Sequence, residues 1–416
     1  MDTPQPDTID GTNATSGLKA AASALRIMLY SHDTFGLGHI RRARTIAMAL
    51  AKAYPCASIL IVSGSPIVGR YDFPDGIDFV RVPGVVKLPS GDYVSHNMHI
   101  DIAETVSLRE EIIKSTALSF RPDLLIVDKE PTGLRGEMLP TLEAVRQLGG
   151  RTILGLRDVL DAPDVLEKEL EKKNAFTAIE SLYDEIWVYG LKRIYEPLAG
   201  LPLSESALSK VRYTGYLRRE PADWPDPGVP TRRPRGYVLV TPGGGGDGEA
   251  LIDWVLSAYE HDPALYIPSV IVFGPFMNAE KQKEFERRAH RFRTIQTITF
   301  DSRMERLMID SAGVIAMGGY NTFCEILSFD KQAVIFPRIT PRREQFIRAE
   351  AAERFGLIRM LPPLSGAVTP DPNLMADAIK GLASQKRPSE AGVEGLLDGL
   401  DEVVRLTAQS TGKITA

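Results

Sequence analysis

Two cysteines, Cys56 and Cys324, are all that the 416 residues contain, which excludes a disulfide framework and any cysteine-rich metal site and points to a reducing compartment. Long apolar runs are also missing. The longest, from Ala264 to Met277, is interrupted by Pro268 and Pro275 and is too short to span a bilayer, so contact with a membrane is expected to be peripheral only. There is no basic excess. A net charge of −5 gives no bulk basic face, and nucleic acid is not expected as a partner. Residues 1–17 lack the basic start and apolar stretch of a targeting signal. They are rich in Thr, Asp and Pro and read as part of a disordered tail over 1–22, in which the Asn13-Ala14-Thr15 sequon is a chance match. What remains is a globular composition, 44% hydrophobic and 25% charged, with 35 Gly and 29 Pro to supply many turns. The length exceeds one ordinary core and predicts two or three domains.

Apolar runs alternate with helical patterns along most of the chain. Strands are expected at Leu25–Tyr30, Ala57–Val62, Asp78–Val82, Asp123–Val127, Arg151–Leu156 and Glu185–Tyr189. Helices are expected between them at Ile40–Ala53, Ala103–Leu118, Met138–Leu148 and Glu167–Tyr183. From Arg218 to Arg235 five prolines and several charges interrupt all periodicity, which reads as a linker over 218–235. The alternation then restarts with Gly236–Val240 and runs through strands at Ser269–Phe273, Ile295–Phe300, Gly313–Met317 and Ala333–Phe336. This order predicts α/β domains with mostly parallel sheets covered on both faces: a first over 23–217, a second over 236–388, then a helix and tail over 389–416.

In open α/β sheets, ligands bind beyond the carboxyl ends of the strands, so the loops there carry the argument. The first runs from Ser31 to His39, where Gly36 and Gly38 permit a tight turn before a helix. His39 opens that helix. An imidazole there can take a proton from a hydroxyl group, and the same position also suits a simple helix cap. The second loop is Thr241 to Gly248, whose Gly243, Gly244, Gly245 and Gly246 let backbone amides converge on phosphate oxygens, or else form a flexible turn. It is neither a dinucleotide fingerprint nor a P-loop, since it has no lysine. Asp247 weighs against an anion unless it points away or caps the helix. The third loop follows Val314-Ile315-Ala316: Gly318 and Gly319 open it, and Asn321 or Thr322 is expected to cap the next helix, whose amides and dipole suit a diphosphate. Glu325, about one turn in, suits a ribose diol or merely complements the helix dipole.

The stretch from Gly313 to Ala349 resembles the donor-binding domain of family 28 glycosyltransferases, the lipid-II N-acetylglucosaminyltransferase type. It has the strand, the Gly turn, the helix bearing Glu325, Ala333-Val334-Ile335-Phe336-Pro337, and Arg343-Glu344-Gln345. The Gly36-Leu37-Gly38-His39 element and the Asp128-Lys129-Glu130-Pro131 and Leu156-Arg157-Asp158 stretches resemble a bacterial group of predicted glycosyltransferases with GT-B architecture, two doubly wound Rossmann-like domains facing across a cleft. The resemblance implies an inverting, metal-independent hexosyl transfer with no cofactor, in which a nucleotide-sugar, UDP-linked by the family's habit, is a substrate. It implies His39 as the base, Gly38 among the donor-binding residues, and Glu325 on the ribose. Gly243, Gly244, Gly245, Gly318, Gly319, Asn321 and Thr322 would face the diphosphate, Gly274 and Phe300 the nucleobase, and Gln345 the donor sugar. Glu344 stands where the lipid-II enzyme has a second glutamine, which leaves the sugar open.

The acceptor side is less defined. Asp128, Glu130, Arg157 and Asp158 follow strands of the first half and can orient an acceptor, although caps and ion pairs are the commoner fate of such groups. His99, with His96, lies in a long loop from about Val85 to Asp101 that suits an acceptor lid and is too loosely spaced for a metal. Arg41, Arg42 and Arg44 form either a solvated helix face or an attraction for an anionic acceptor. A saccharide or lipid-linked acceptor for cell-envelope or exopolysaccharide synthesis, at the cytoplasmic face of a membrane, is expected by resemblance. The alternatives are a nucleotide-sugar epimerase and a non-catalytic nucleotide-binding subunit. A dinucleotide oxidoreductase is disfavoured by the missing fingerprint.

Overall fold

The computed structural model describes residues 24–32, 38–88, 92–221, 234–244, 246–299, 301, 304–363 and 370–413. The first half contains β1 (Arg26–Ser31), α1 (Gly38–Ala53), β2 (Ser58–Ser63), β3 (Ile77–Arg81), the short β4 (Val85–Lys87) and β5 (Tyr93–Ser95), α2 (Ile102–Phe120), β6 (Leu124–Asp128), α3 (Leu139–Gln147), β7 (Arg151–Arg157), α4 (Pro163–Lys172), α5 (Ala175–Ser181), β8 (Glu185–Tyr189), α6 (Glu205–Ser209) and β9 (Val211–Tyr213). Its seven-stranded sheet is parallel, in the order β3-β2-β1-β6-β7-β8-β9.

The second half contains β10 (Val238–Thr241), α7 (Glu249–His261), β11 (Ser269–Val272), α8 (Ala279–Ala289), β12 (Ile295–Ile298), α9 (Met304–Asp310), β13 (Gly313–Ala316), α10 (Tyr320–Ser328), β14 (Ala333–Ile335), α11 (Glu344–Arg354), β15 (Arg359–Met360) and α12 (Pro372–Gly381). Its six-stranded sheet, β12-β11-β10-β13-β14-β15, is also parallel. The central strands are buried along their whole length, because helices cover both faces. In each half the chain order reverses at one place, between β1 and β6 and between β10 and β13. The start of α1, beyond β1, and the loops leaving β10 and β13 line one cleft.

Buried contacts hold the halves together. Arg348 of α11 and Asp158, just after β7, are 1% and 2% exposed and form a forked pair, Nη2 to Oδ1 at 2.6 Å and Nε to Oδ2 at 2.8 Å. The Tyr216 hydroxyl donates to the same carboxylate at 3.1 Å, and Arg348 Nη1 donates to the Gly318 carbonyl at 3.0 Å. Tyr320 donates to the Tyr189 carbonyl at 2.9 Å, and Tyr216 meets Phe323 edge-on with 5.2 Å between ring centres. A final helix, α13 (Gly399–Thr411), returns to the first half. There Ser410 donates to Glu185 and Lys413 pairs with Asp123, while Val403 and Leu406 are buried.

Several expectations differ from the structure. The helix expected over Glu167–Tyr183 is two, α4 and α5, separated at Asn174, whose φ of 49° breaks the helical path. The stretch from Val85 to Asp101 is not all loop, because β4 and β5 pair antiparallel within it. The tail over 1–22 and most of the linker, 222–233, lie outside the described residues. Among the described residues no helix is long and apolar enough to cross a membrane.

Arg348→Ala leaves the Asp158 carboxylate buried without its cation, and such a loss costs about 3–5 kcal/mol. The midpoint of chemical denaturation should fall accordingly. The double change Arg348→Met, Asp158→Leu should recover most of that loss, and an unchanged midpoint in the single variant would refute the role assigned to the pair.

Candidate functional site

Because β6 lies beside β1, its last residue, Asp128, stands next to the first turn of α1. His39 Nδ1 lies 2.5 Å from Asp128 Oδ2. Arg42, three residues later on the same helix face, grips that carboxylate with Nε to Oδ1 at 2.6 Å and Nη2 to Oδ2 at 2.6 Å. Arg42 and His39 hold Asp128 far below the usual carboxylate range against the opposing effect of burial. Burial pushes the His39 imidazole below its ordinary value, and Asp128 offsets this only in part. His39 is therefore neutral near pH 7. Its Nδ1–H is directed to Asp128, which leaves the Nε2 lone pair as the acceptor on a side chain 18% exposed to the cleft.

A second histidine lies behind it. The His32 ring stands edge-on to His39 at 5.9 Å and its Nδ1 is 3.2 Å from the Tyr30 hydroxyl. That hydroxyl gives its proton to Glu137 at 2.5 Å, so the imidazole N–H is the donor to Tyr30. Arg109 closes the network with a fork onto Glu137 at 2.6 Å. Burial, more than any neighbouring charge, pushes His32 down from 6.5 to about 3.

On the facing side, the Gly243–Gly244 backbone crosses the turn at Gly274 so closely that a Cβ on Gly274 would meet the Gly243 carbonyl at 2.7 Å; Gly274 has φ 88°. The α10 helix starts at Gly319 with no side-chain cap, so its first-turn amides open to the cleft. This corrects the expected cap: Asn321 lies inside the helix, and its amide reaches across to the Gly38 carbonyl at 3.1 Å and accepts from Arg219 at 2.8 Å. Glu325 is 3% exposed. Burial raises its pKa, while Arg41, which donates to it and to Glu305, lowers it. Of the arginines of α1, Arg41 and Arg42 are ion-paired and form neither a solvated face nor a free basic patch, while Arg44 donates to the Asp72 carbonyl and lies over the Tyr71 ring.

The remaining wall is built at the start of α11. Glu344 accepts from Arg338 Nη2 at 2.7 Å through one oxygen, and its other oxygen is buried without a partner. Gln345 accepts from the Arg338 amide at 3.2 Å. Arg338 also pairs with Asp247, which neutralises the carboxylate beside the glycine loop.

The cleft is therefore lined by His39, Gly38, Gly243, Gly244, Gly274, Gly318, Gly319, Asn321, Thr322, Glu325, Glu344, Gln345 and Arg157 together. Gly245 and Phe300 lie outside the described residues. Asp128 acts on His39. Asp158 and Glu130 stand apart from the cleft lining: the first is taken by Arg348 and the second by Lys173 at 2.5 Å and Lys129 at 3.0 Å. Their buried charges need those partners, which explains why neither is free for an acceptor. His99 is exposed and does not line the cleft. Among the described residues no group of three His, Cys, Asp or Glu is placed to hold a metal ion. Sequence reasoning missed the His39–Asp128 pairing and the cross-cleft contacts of Arg41 and Arg219. The strand order alone would have revealed the first, since Asp128 ends the strand adjoining β1.

No protein-family model and no curated sequence matches the chain. Solved structures do. The glycotransferase of kitacinnamycin shares a TM-score of 0.63 at 13% identity, over 93% of this chain and 99% of that one. MurG of Acinetobacter baumannii gives 0.56 at 15% identity over 93% and 99%. A Medicago truncatula UGT complexed with UDP-glucose gives 0.60 at 12% identity over 94% and 99%. The fold is GT-B. At these identities the likeness extends to the fold alone, so the chemistry rests on the site.

Stability should fall as pH drops from about 6.5 towards about 3, because the unfolded chain binds a proton at His32 that the folded chain refuses. His32→Gln should flatten the upper part of that window, before carboxylates titrate, in a plot of denaturation midpoint against pH. An unaltered curve would remove His32 as its source.

Proposed function

We propose that the chain is an inverting glycosyltransferase that moves a sugar from a nucleotide-sugar, UDP-linked, to a saccharide or lipid-linked acceptor. The observation that carries this reading is the apposition, in one cleft, of a neutral histidine oriented by a buried aspartate and the uncapped N-terminus of α10. The chemistry needs both. His39 Nε2 takes the proton of an acceptor hydroxyl as its oxygen bonds to the anomeric carbon. The bond from that carbon to the diphosphate breaks, and the leaving oxygen keeps the electron pair. The resulting charge is met by α10 amides and the Gly243–Gly244 backbone, where each well-placed donor is worth about 3 kcal/mol. Asp128 stabilises the imidazolium while it exists. No step is assigned to a metal. Glu325 is the acceptor for the ribose diol, and the solved neighbours bound to UDP or UDP-glucose support the choice of UDP. A cell-envelope or exopolysaccharide acceptor met at the cytoplasmic face of a membrane extends the same reading.

Thermal unfolding with UDP, GDP, TDP and NAD at equal concentration tests the donor site. A ligand at about 100 times its Kd stabilises by about 2.7 kcal/mol. UDP should raise the midpoint, and Glu325→Gln should abolish the rise. A response to NAD alone, or to none, would overturn the site.

With an active donor and acceptor in hand, His39→Ala should lower kcat by about 10²- to 10⁴-fold with little change in donor binding. Asp128→Asn should fall in the same direction, since it removes the group that orients and supports the imidazole. Full activity in His39→Ala, or conversion of donor with no acceptor present, would replace transfer by another chemistry.

A further inference from the structure

Several arginines converge on the wall between the halves; Arg41 is paired with Glu325 and Glu305, while Arg219 donates to the neutral oxygens of Thr45 and Asn321. Arg42 is paired with Asp128, Arg348 with Asp158, and Arg338 with Glu344 and Asp247. Arg157, the last residue of β7, makes no contact of either kind among the described residues. It lines the cleft, is partly buried, and its Nε is enclosed without a hydrogen-bond partner. Each carboxylate near it is already engaged by another arginine. Burial together with Arg42 and Arg348 pushes Arg157 down to about 10, so it remains a cation at neutral pH, repelled by its neighbours.

A cation in such a place lacks an anion, and a guanidinium fork matches a carboxylate or phosphate in shape as well as charge. The diphosphate already has its own receptors on the second half, in the α10 amides and the Gly243–Gly244 backbone. Arg157 stands on the first half, one strand beyond the β6 end that carries Asp128. Glu344 lines the same cleft, and its unpartnered oxygen suits a sugar hydroxyl. The two together describe a pocket for a sugar that is both hydroxylated and acidic.

We propose that Arg157 is the specificity-determining residue of this cleft, binding a carboxylate or phosphate carried by one of the two sugars that meet there. The inference rests on the glycosyltransferase reading and names its substrate class, an acidic sugar.

Titration calorimetry with UDP, UDP-glucose and UDP-glucuronate on the full chain separates the sources. An acidic donor predicts that UDP-glucuronate binds at least about tenfold more tightly than UDP-glucose, the worth of one charge-assisted contact. Arg157→Gln should erase that preference and Arg157→Lys restore part of it, with UDP itself unchanged. If the two donors bind alike, methyl glucuronide and glucose 6-phosphate titrated in the presence of UDP test the acceptor. Binding of either that is lost in Arg157→Gln supports the inference with the acid on the acceptor.

No anion preference in either arm would overturn it. So would a loss of UDP affinity in Arg157→Gln as large as the loss for the uronate, which would assign Arg157 to the diphosphate. Failure of the wild-type chain to bind any nucleotide would overturn the donor-site reading itself, and the inference with it. The unfolding midpoint of each unligated variant shows that it is folded. Arg157→Lys keeps the charge where Arg157→Gln does not fold.

Discussion

A carboxylate at the end of a buried parallel strand must be neutralised where it stands, and the fork of Arg42 onto Asp128 is how β6 can end in one. Much of the site follows from that contact. It anchors the start of α1, and His39, three residues earlier on the same helix, is thereby brought onto Oδ2 of the same carboxylate. Without Arg42, the burial that raises the pKa of Asp128 would be opposed chiefly by His39, and a carboxylate less firmly ionised would support an imidazolium less well. The same solution recurs between the halves. Arg348 meets Asp158, and Arg41 meets Glu325 and Glu305. The closed arrangement of the two sheets is thus held by arginines answering carboxylates at strand and helix ends.

Much of this was legible in the sequence because strands buried on both faces announce themselves as unbroken apolar runs. Leu124 to Val127 and Gly313 to Ala316 needed no alternation to be read. Short edge strands were not legible. β9 and β15 span only three and two residues, and β4 and β5 pair only with each other, so pairing rather than pattern defines them. The break at Asn174 was hidden for a related reason, since the apolar spacing continues through it while the backbone does not.

Gly243, Gly244, Gly274, Gly318 and Gly319 were legible as members of the cleft because each lies just beyond a strand. The partners of the polar side chains were not. Spacing places His39, Glu325 and Asp158 at loops and helix starts but carries no information on which charge will reach them from the opposite half. Asp158 shows the cost of that gap. Its position beyond β7 is that of a ligand-binding residue, yet Arg348 approaches from 190 residues away and takes the carboxylate into the contact between halves. Glu325 illustrates the converse. Its pairing with Arg41, also from the opposite half, leaves it on the cleft wall.

The two histidines of the first half show how one short segment serves chemistry and scaffold at once. His32 and His39 are ring neighbours, yet their surroundings drive them to different uses. His32 is enclosed between Tyr30 and the His39 ring, and its N–H is spent on a hydroxyl whose own proton belongs to Glu137. It is locked neutral, and a neutral ring beside His39 adds no competing positive charge when His39 takes a proton. His39 differs in having Asp128 on one nitrogen and the cleft at the other. A buried aspartate on one side and solvent-accessible space on the other are what the proposed reaction asks of an imidazole base, neutral before the transfer and protonated during it. The polar network under the site, from Arg109 to His32, costs desolvation that an apolar core would avoid. Its effect is positional: it fixes His32, whose ring packs edge-on against His39.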